Sequence, residues 1–174
     1  MPTAEDWYAN LVWIERRKCL LLAHVRTLFS VFQPDVSKSD LLELGPFIVT
    51  LIERELRSEG LPLDTFGLLV PEALVIARTA DRSVLGSMNE MAYASRMDVM
   101  LHGGLARCDF ATLNRGLRRD IHSPRGYARP IDLAKGGRPD LQVLSGRADE
   151  TRSIGAPVPA PLRCNRPGQA TIET

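Results

Sequence analysis

The stretch that decides the fold is Trp7-Tyr8-Ala9-Asn10-Leu11-Val12-Trp13-Ile14, followed by Glu15-Arg16-Arg17-Lys18 and then Cys19-Leu20-Leu21-Leu22-Ala23-His24. The two apolar runs are short, and the four polar residues between them are hairpin spacing, although the Asn-Gly or Asp-Gly signature of the tightest turns is missing. A third run over residues 27–32 alternates Leu28, Ser30 and Phe32 with Phe29 and Val31, and Pro34 ends it because proline cannot donate to a ladder. A three-stranded antiparallel meander is the simplest consequence.

Downstream, Leu41, Leu44, Ile48, Leu51, Ile52 and Leu56 fall at helical spacing, with Glu43, Glu53, Arg54, Arg57 and Glu59 opposite, which predicts an amphipathic helix over residues 39–59. Gly45-Pro46 divides it into a preliminary turn capped at Ser39 or Asp40 and a main helix starting with Pro46, and Gly60 supplies a left-handed cap. Residues 74–79 read as a fourth strand. Asp81 is an N-cap for a helix over 82–101 with Leu85, Met88, Ala92 and Val99 inward, closed by Gly103-Gly104. Asp109 caps a short third helix with Phe110, Leu113 and Leu117 inward and Arg118 and Arg119 in its last turn, near the negative end of the dipole. Tyr127, Pro130 and Ile131 are expected to reach the core.

The expected fold class is therefore α+β: a small antiparallel sheet of about four strands, covered on one face by two main helices, with a short third helix. One domain is expected over residues 1–134. From residue 135 the composition turns to Gly, Pro, Ser and Arg, and a segment of that kind buries too little apolar surface to offset its ordering entropy. Residues 135–174 are read as a disordered tail.

At 174 residues, 44% apolar and 25% charged, the chain has the composition of a soluble globular domain. Its charge is uneven: residues 1–106 carry a net −4 and residues 107–174 a net +5, almost all of the latter from Arg. Cys19, Cys108 and Cys164 have no paired spacing, so a disulfide framework is not expected. The acidic first residues and the lack of an apolar run of ~18 residues argue against a secretory leader and a membrane span. A cytoplasmic protein is the expectation.

Thr79-Ala80-Asp81-Arg82-Ser83-Val84-Leu85-Gly86-Ser87-Met88-Asn89, together with Trp7-Tyr8-Ala9-Asn10-Leu11-Val12, Arg16-Arg17-Lys18 and Glu59-Gly60, resembles a bacterial domain-of-unknown-function family, found as stand-alone proteins and beside plasmid open-reading-frame-three-like proteins. The resemblance covers roughly residues 7–133. It carries no activity with it, and it implies a bacterial protein with partners encoded near mobile elements or defence loci.

Candidate sites follow from residue type and placement. Arg82 and Ser83 beside a helix start, with Asn89 two turns on, can hold an anion, although Asp81 as a simple cap explains the same pattern. Arg16, Arg17 and Lys18 at the hairpin tip can contact phosphates, or merely keep a reversal in water. Trp7, Tyr8 and Trp13 suit base stacking, or strand packing. Arg115, Arg118, Arg119, His122 and Arg125 form the densest positive stretch, the first place to look for a nucleic acid or acidic partner. His102 and Cys108 can face one site, but two ligands do not make a zinc site. No nucleophile elbow, phosphate loop or dinucleotide fingerprint occurs, so no cofactor and no metal are expected.

Three functions are open at this level. The first is a non-enzymatic interaction module that associates with another protein. The second is a nucleic-acid or anion binder, and the third a phosphoryl-transfer or nuclease-type enzyme with a site composed of Arg82, Ser83, Asn89 and His122.

Overall fold

The computed structural model describes residues 6–76, 81–122 and 126–136. Strands β1 (Trp7–Ile14), β2 (Arg17–His24) and β3 (Ser30–Gln33) form one antiparallel sheet in the order β1-β2-β3. Helices α1 (Lys38–Leu42), α2 (Leu44–Ser58), α3 (Arg82–Leu101), α4 (Phe110–Leu117) and α5 (Pro130–Ala134) pack around it, giving an α+β architecture.

The first hairpin is tighter than the four-residue connection expected. Ile14 pairs with Arg17 and Trp13 with Lys18, leaving Glu15 and Arg16 alone in the turn with φ of 48° and 65°. Two left-handed residues match the right-handed twist of the flanking strands, which is why such turns close hairpins even when neither residue is glycine. Glu15 is anchored from outside: its Oε2 accepts the Leu105 amide at 3.2 Å. A Cβ on Gly104 (φ 102°) would stand 2.5 Å from Glu15 Oε1, so the close approach of this carboxylate requires glycine there.

β3 begins at Ser30 rather than residue 27, because Thr27 and Leu28 make the turn. Leu28 has φ 59°, the His24 amide bonds to the Phe29 carbonyl at 2.9 Å, and Thr27 Oγ1 accepts the Phe29 amide at 3.1 Å.

Every residue of β2 from Cys19 to His24 is buried. Cys19, Leu21 and Ala23 join Tyr8, Val12, Ile14 and Phe32 against Val84, Met88, Met91, Ala92 and Val99 of α3 and Leu113 and Leu117 of α4. Leu20 and Leu22 join Phe29 and Val31 against Ile48, Leu51, Ile52 and Leu56 of α2. The main helices therefore cover opposite faces of the sheet, not one. The unbroken run of apolar residues in β2 carries that signal, since a strand with one wet face alternates. Burial of its thiol raises the Cys19 pKa, so this cysteine serves as a core residue.

Ser37, not Ser39 or Asp40, caps α1, with Asp40 completing a capping box; the Ser37 hydroxyl and amide hold the Asp40 carboxyl below its usual range. α2 begins at Leu44, and Gly45 is needed because a Cβ would collide with the Pro71 carbonyl of the 3-10 turn Pro71–Ala73. Gly60 (φ 67°) ends α2 in the expected left-handed cap, with the Leu61 amide bonded to the Leu56 carbonyl at 2.9 Å and the Gly60 amide to that of Arg57 at 3.1 Å. α3 keeps its expected bounds and its Asp81 cap, and Met88, Ala92 and Val99 point inward as expected. Leu85 does not: Val84 takes the core position, and Leu85 is partly exposed. Asp109 caps α4, and Pro130 and Ile131 are buried at α5 while Tyr127 is exposed.

The fourth strand is absent from the described residues. Residues 74–76 are exposed and unpaired in the sheet, and residues 77–80, like the tail beyond residue 136, lie outside the described residues. The free edge of β3 is closed instead by side chains of the α4 region. Asn114 accepts the Phe32 amide at Oδ1 (2.6 Å) and donates Nδ2 to the Phe32 carbonyl (2.9 Å), while Arg118 Nη1 donates to the Ser30 carbonyl at 3.2 Å. Such capping of an edge leaves no ladder for another strand.

Arg118 is 1% exposed and meets two carboxylates of the α2 end, Glu55 at 2.9 Å and Glu59 at 2.9 Å, with its guanidinium 5.1 Å from the Phe29 ring centroid. Arg119 adds a two-pronged bond to Glu59 at 2.9 and 2.8 Å. Arg119 foremost, and then Arg118, hold the Glu59 carboxyl at about 2 against the opposing pull of burial.

Because that pKa lies below the ordinary 4.5, the stabilisation is complete above pH 4.5 and is lost as pH falls from there towards 2. Unfolding free energies from urea titrations across this window should fall for the native chain, with Glu59 contributing on the order of 3 kcal/mol at most, and should fall less for Glu59→Gln. Arg118→Met leaves two buried carboxylates without their shared partner and should lower stability by about 3–5 kcal/mol in the same assay at pH 7. Asn114→Leu strands both Phe32 backbone groups and should lower it by about 2–3 kcal/mol.

Candidate functional site

The tip of the β1-β2 hairpin gathers several of the residues singled out above. Trp13 and Lys18 are register partners, and the Lys18 Nζ sits 5.8 Å from the Trp13 ring centroid. The segment after β3 is bound alongside by the Val36 amide, which donates to the Lys18 carbonyl at 2.8 Å. Trp13, Arg16, Arg17, Lys18, Asp35 and Val36 line an open depression of about 450 Å³.

Its charge is readily apportioned. Arg17 is neutralised by Asp35 through contacts of 3.0 and 2.9 Å. Glu15, the other nearby carboxylate, is turned to the Leu105 amide. Arg16 is exposed, and among the described residues neither Arg16 nor Lys18 is paired with a carboxylate, the Lys18 ammonium facing the indole. Two cations without a carboxylate partner among the described residues thus line the same depression as an indole that is 57% exposed. Of the other aromatics considered for stacking, Tyr8 is buried and donates no surface, its hydroxyl accepting the Asp81 amide at 3.1 Å; Trp7 packs against His24, Phe29 and Phe66.

The start of α3 is arranged differently. Asp81 Oδ1 already accepts the Ser83 and Val84 amides at 2.8 and 3.3 Å, the donors an anion would use. Arg82, Ser83 and Asn89 are exposed on the helix, with Gly86 between them. His122 is buried, at a bridge to Ala128 beyond the end of α4, and so is not part of the exposed face that carries Arg82, Ser83 and Asn89.

The positive stretch after residue 107 is divided by the fold. Arg118 is interior, tied to Glu55 and Glu59, and its side chain is withdrawn from the surface the sequence suggested. Arg119 is held by Glu59 and by the Arg115 carbonyl at 3.1 Å. Arg115 is exposed, and Arg125 lies outside the described residues.

A third grouping joins His102 and Cys108 to Asp98, with one ligand atom from each within 4.8 Å of the others. Asp98 escaped the sequence reading because Cys108 reaches it only through the Gly103-Gly104 reversal. The four-residue spacing of Asp98 and His102 along a helix was the available signal.

These elements define a small α+β domain with a cationic hairpin tip. A family model, that of the domain of unknown function DUF6933, matches residues 2–133, and the chain belongs to that family. Comparisons with curated proteins and with solved structures find no match. Among the described residues no helix is long and apolar enough to cross a membrane.

Gly86 sits inside α3, where a Cβ would meet nothing within 4 Å. The fold does not need glycine there, so Gly86→Ala should raise stability by about 0.5–1 kcal/mol through helix propensity alone, read from thermal or urea unfolding.

Proposed function

We propose that this domain is a non-enzymatic binding module, that its recognition surface is the hairpin tip, and that it takes single-stranded nucleic acid there. The observation that carries the reading is the exposed Trp13 indole in one depression with Arg16 and Lys18, whose charges meet no carboxylate among the described residues. A base stacked on such a ring gains about 1–3 kcal/mol, and flanking cations meet its phosphates without reading sequence. The bacterial setting implied by the family resemblance, and the cytoplasmic one expected from the composition, are consistent with this use.

Anisotropy of short labelled RNA and DNA strands at two salt concentrations provides the test. Binding should weaken steeply with salt, Trp13→Ala should cost roughly 5- to 150-fold in affinity, and Arg16→Ala with Lys18→Ala should flatten the log–log salt slope by about 1.4. A native chain that shows no salt-sensitive binding would overturn the reading. Association with a protein is the second reading, favoured by the exposed Leu68, Val75 and Ile76 between α2 and α3. It gains if nucleic acid does not bind and a partner co-purified with the native chain is lost on Val75→Asp with Ile76→Asp.

A further inference from the structure

Asp98 and His102 stand one helical turn apart at the end of α3, so their side chains share a face. Gly103 (φ 82°) and Gly104 (φ 102°) then reverse the chain, with the Gly104 amide bonded to the Val99 carbonyl at 2.9 Å and the Gly103 amide to that of Met100 at 3.1 Å. The Arg107 amide bonds back to the Gly104 carbonyl at 3.1 Å, and Cys108 returns to the same face. There its Sγ lies 3.8 Å from Asp98 Oδ2, while His102 Nδ1 lies 3.5 Å from Asp98 Oδ1 and 2.8 Å from the Asp98 carbonyl oxygen.

Bonds of about 2.0–2.3 Å at tetrahedral angles set ligand atoms roughly 3.3–3.8 Å apart, so small rotations of these side chains allow all three to meet one ion. We propose that Asp98, His102 and Cys108 form a binding site for a zinc-class divalent cation, with solvent completing the coordination. A thiolate beside an imidazole and a carboxylate selects borderline metals over calcium or magnesium, which want oxygen throughout. Exposure of His102 leaves one side open, as in sites with three protein ligands and a water. The negative end of the α3 dipole and the nearby Asp109 favour a cation here, and Arg107, folded against Gly103, is the opposing charge. Burial, and then Asp98, raise the Cys108 pKa, so the metal-free thiol carries its proton and binding releases it to solvent as the sulfur–metal bond forms. The proposal is independent of what the hairpin tip binds.

The test is titration of the tag-free full chain with Co2+ at neutral pH. One equivalent should bring up thiolate-to-cobalt charge-transfer absorption and the visible bands of a tetrahedral ion, release a proton, and be displaced by Zn2+. Cys108→Ser should abolish the charge-transfer band, and Asp98→Asn and His102→Gln should each weaken binding by about tenfold or more. Because a variant can fail to fold, the native chain supplies a second measurement: Zn2+ should slow alkylation of Cys108, read on its peptide, by about tenfold or more. A band that survives Cys108→Ser places the ion at another cysteine and overturns the proposal, as does a native chain with no band and no protection of Cys108.

Discussion

The structure depends on one buried guanidinium. Arg118 leaves the end of α4, passes the edge of β3 where it binds the Ser30 carbonyl, and meets Glu55 and Glu59 at the C-terminal end of α2. It therefore ties together the helices on opposite faces of the sheet. Removing three charges from water is costly, and a well-packed apolar substitute for the whole group is often as stable, so the network's particular contribution is to fix where α4 lies. A guanidinium suits that role because its planar fork meets several acceptors at once, and the Phe29 ring below it takes the remaining face. From the rim, Arg54 adds a further cation to Glu55 and Arg119 one to Glu59.

Much of this architecture was legible in the chain. α3 was predictable to its ends because Asp81 caps it and a glycine pair closes it, two signals that act within a few residues. Gly60 was equally plain. The hairpin turn was not, since Glu15 and Arg16 adopt positive φ without being glycine or asparagine, and the one anchor of this turn outside the hairpin, the Leu105 amide on the Glu15 carboxylate, lies 90 residues away. Leu85 was assigned inward on spacing alone, and a rotation of one residue gave its place to Val84. Among the described residues no fourth strand joins the sheet: residues 74–76 have strand-like composition but stay unpaired, and the edge of β3 is taken by Asn114 and Arg118.

The same distinction governs the sites. The cations of the hairpin tip could be found in sequence because they are adjacent to one another, and the pairing of Arg17 with Asp35 could not, because it crosses from β2 to the segment after β3. Arg118 was read as a surface charge because it lies in a run of arginines; only the acidic residues four apart on α2, Glu55 and Glu59, hint that one of those arginines is interior.

The closure of β3 by an amide has a geometric corollary. Asn114 presents one donor and one acceptor to a single residue, so it terminates the ladder with a surrogate one peptide long, and the sheet is sealed on that flank. Among the described residues β1 pairs on one side only. Accretion of β-structure is thereby made unidirectional: any further strand, from this polypeptide or from another, has a hydrogen-bonding lattice to extend only beside β1.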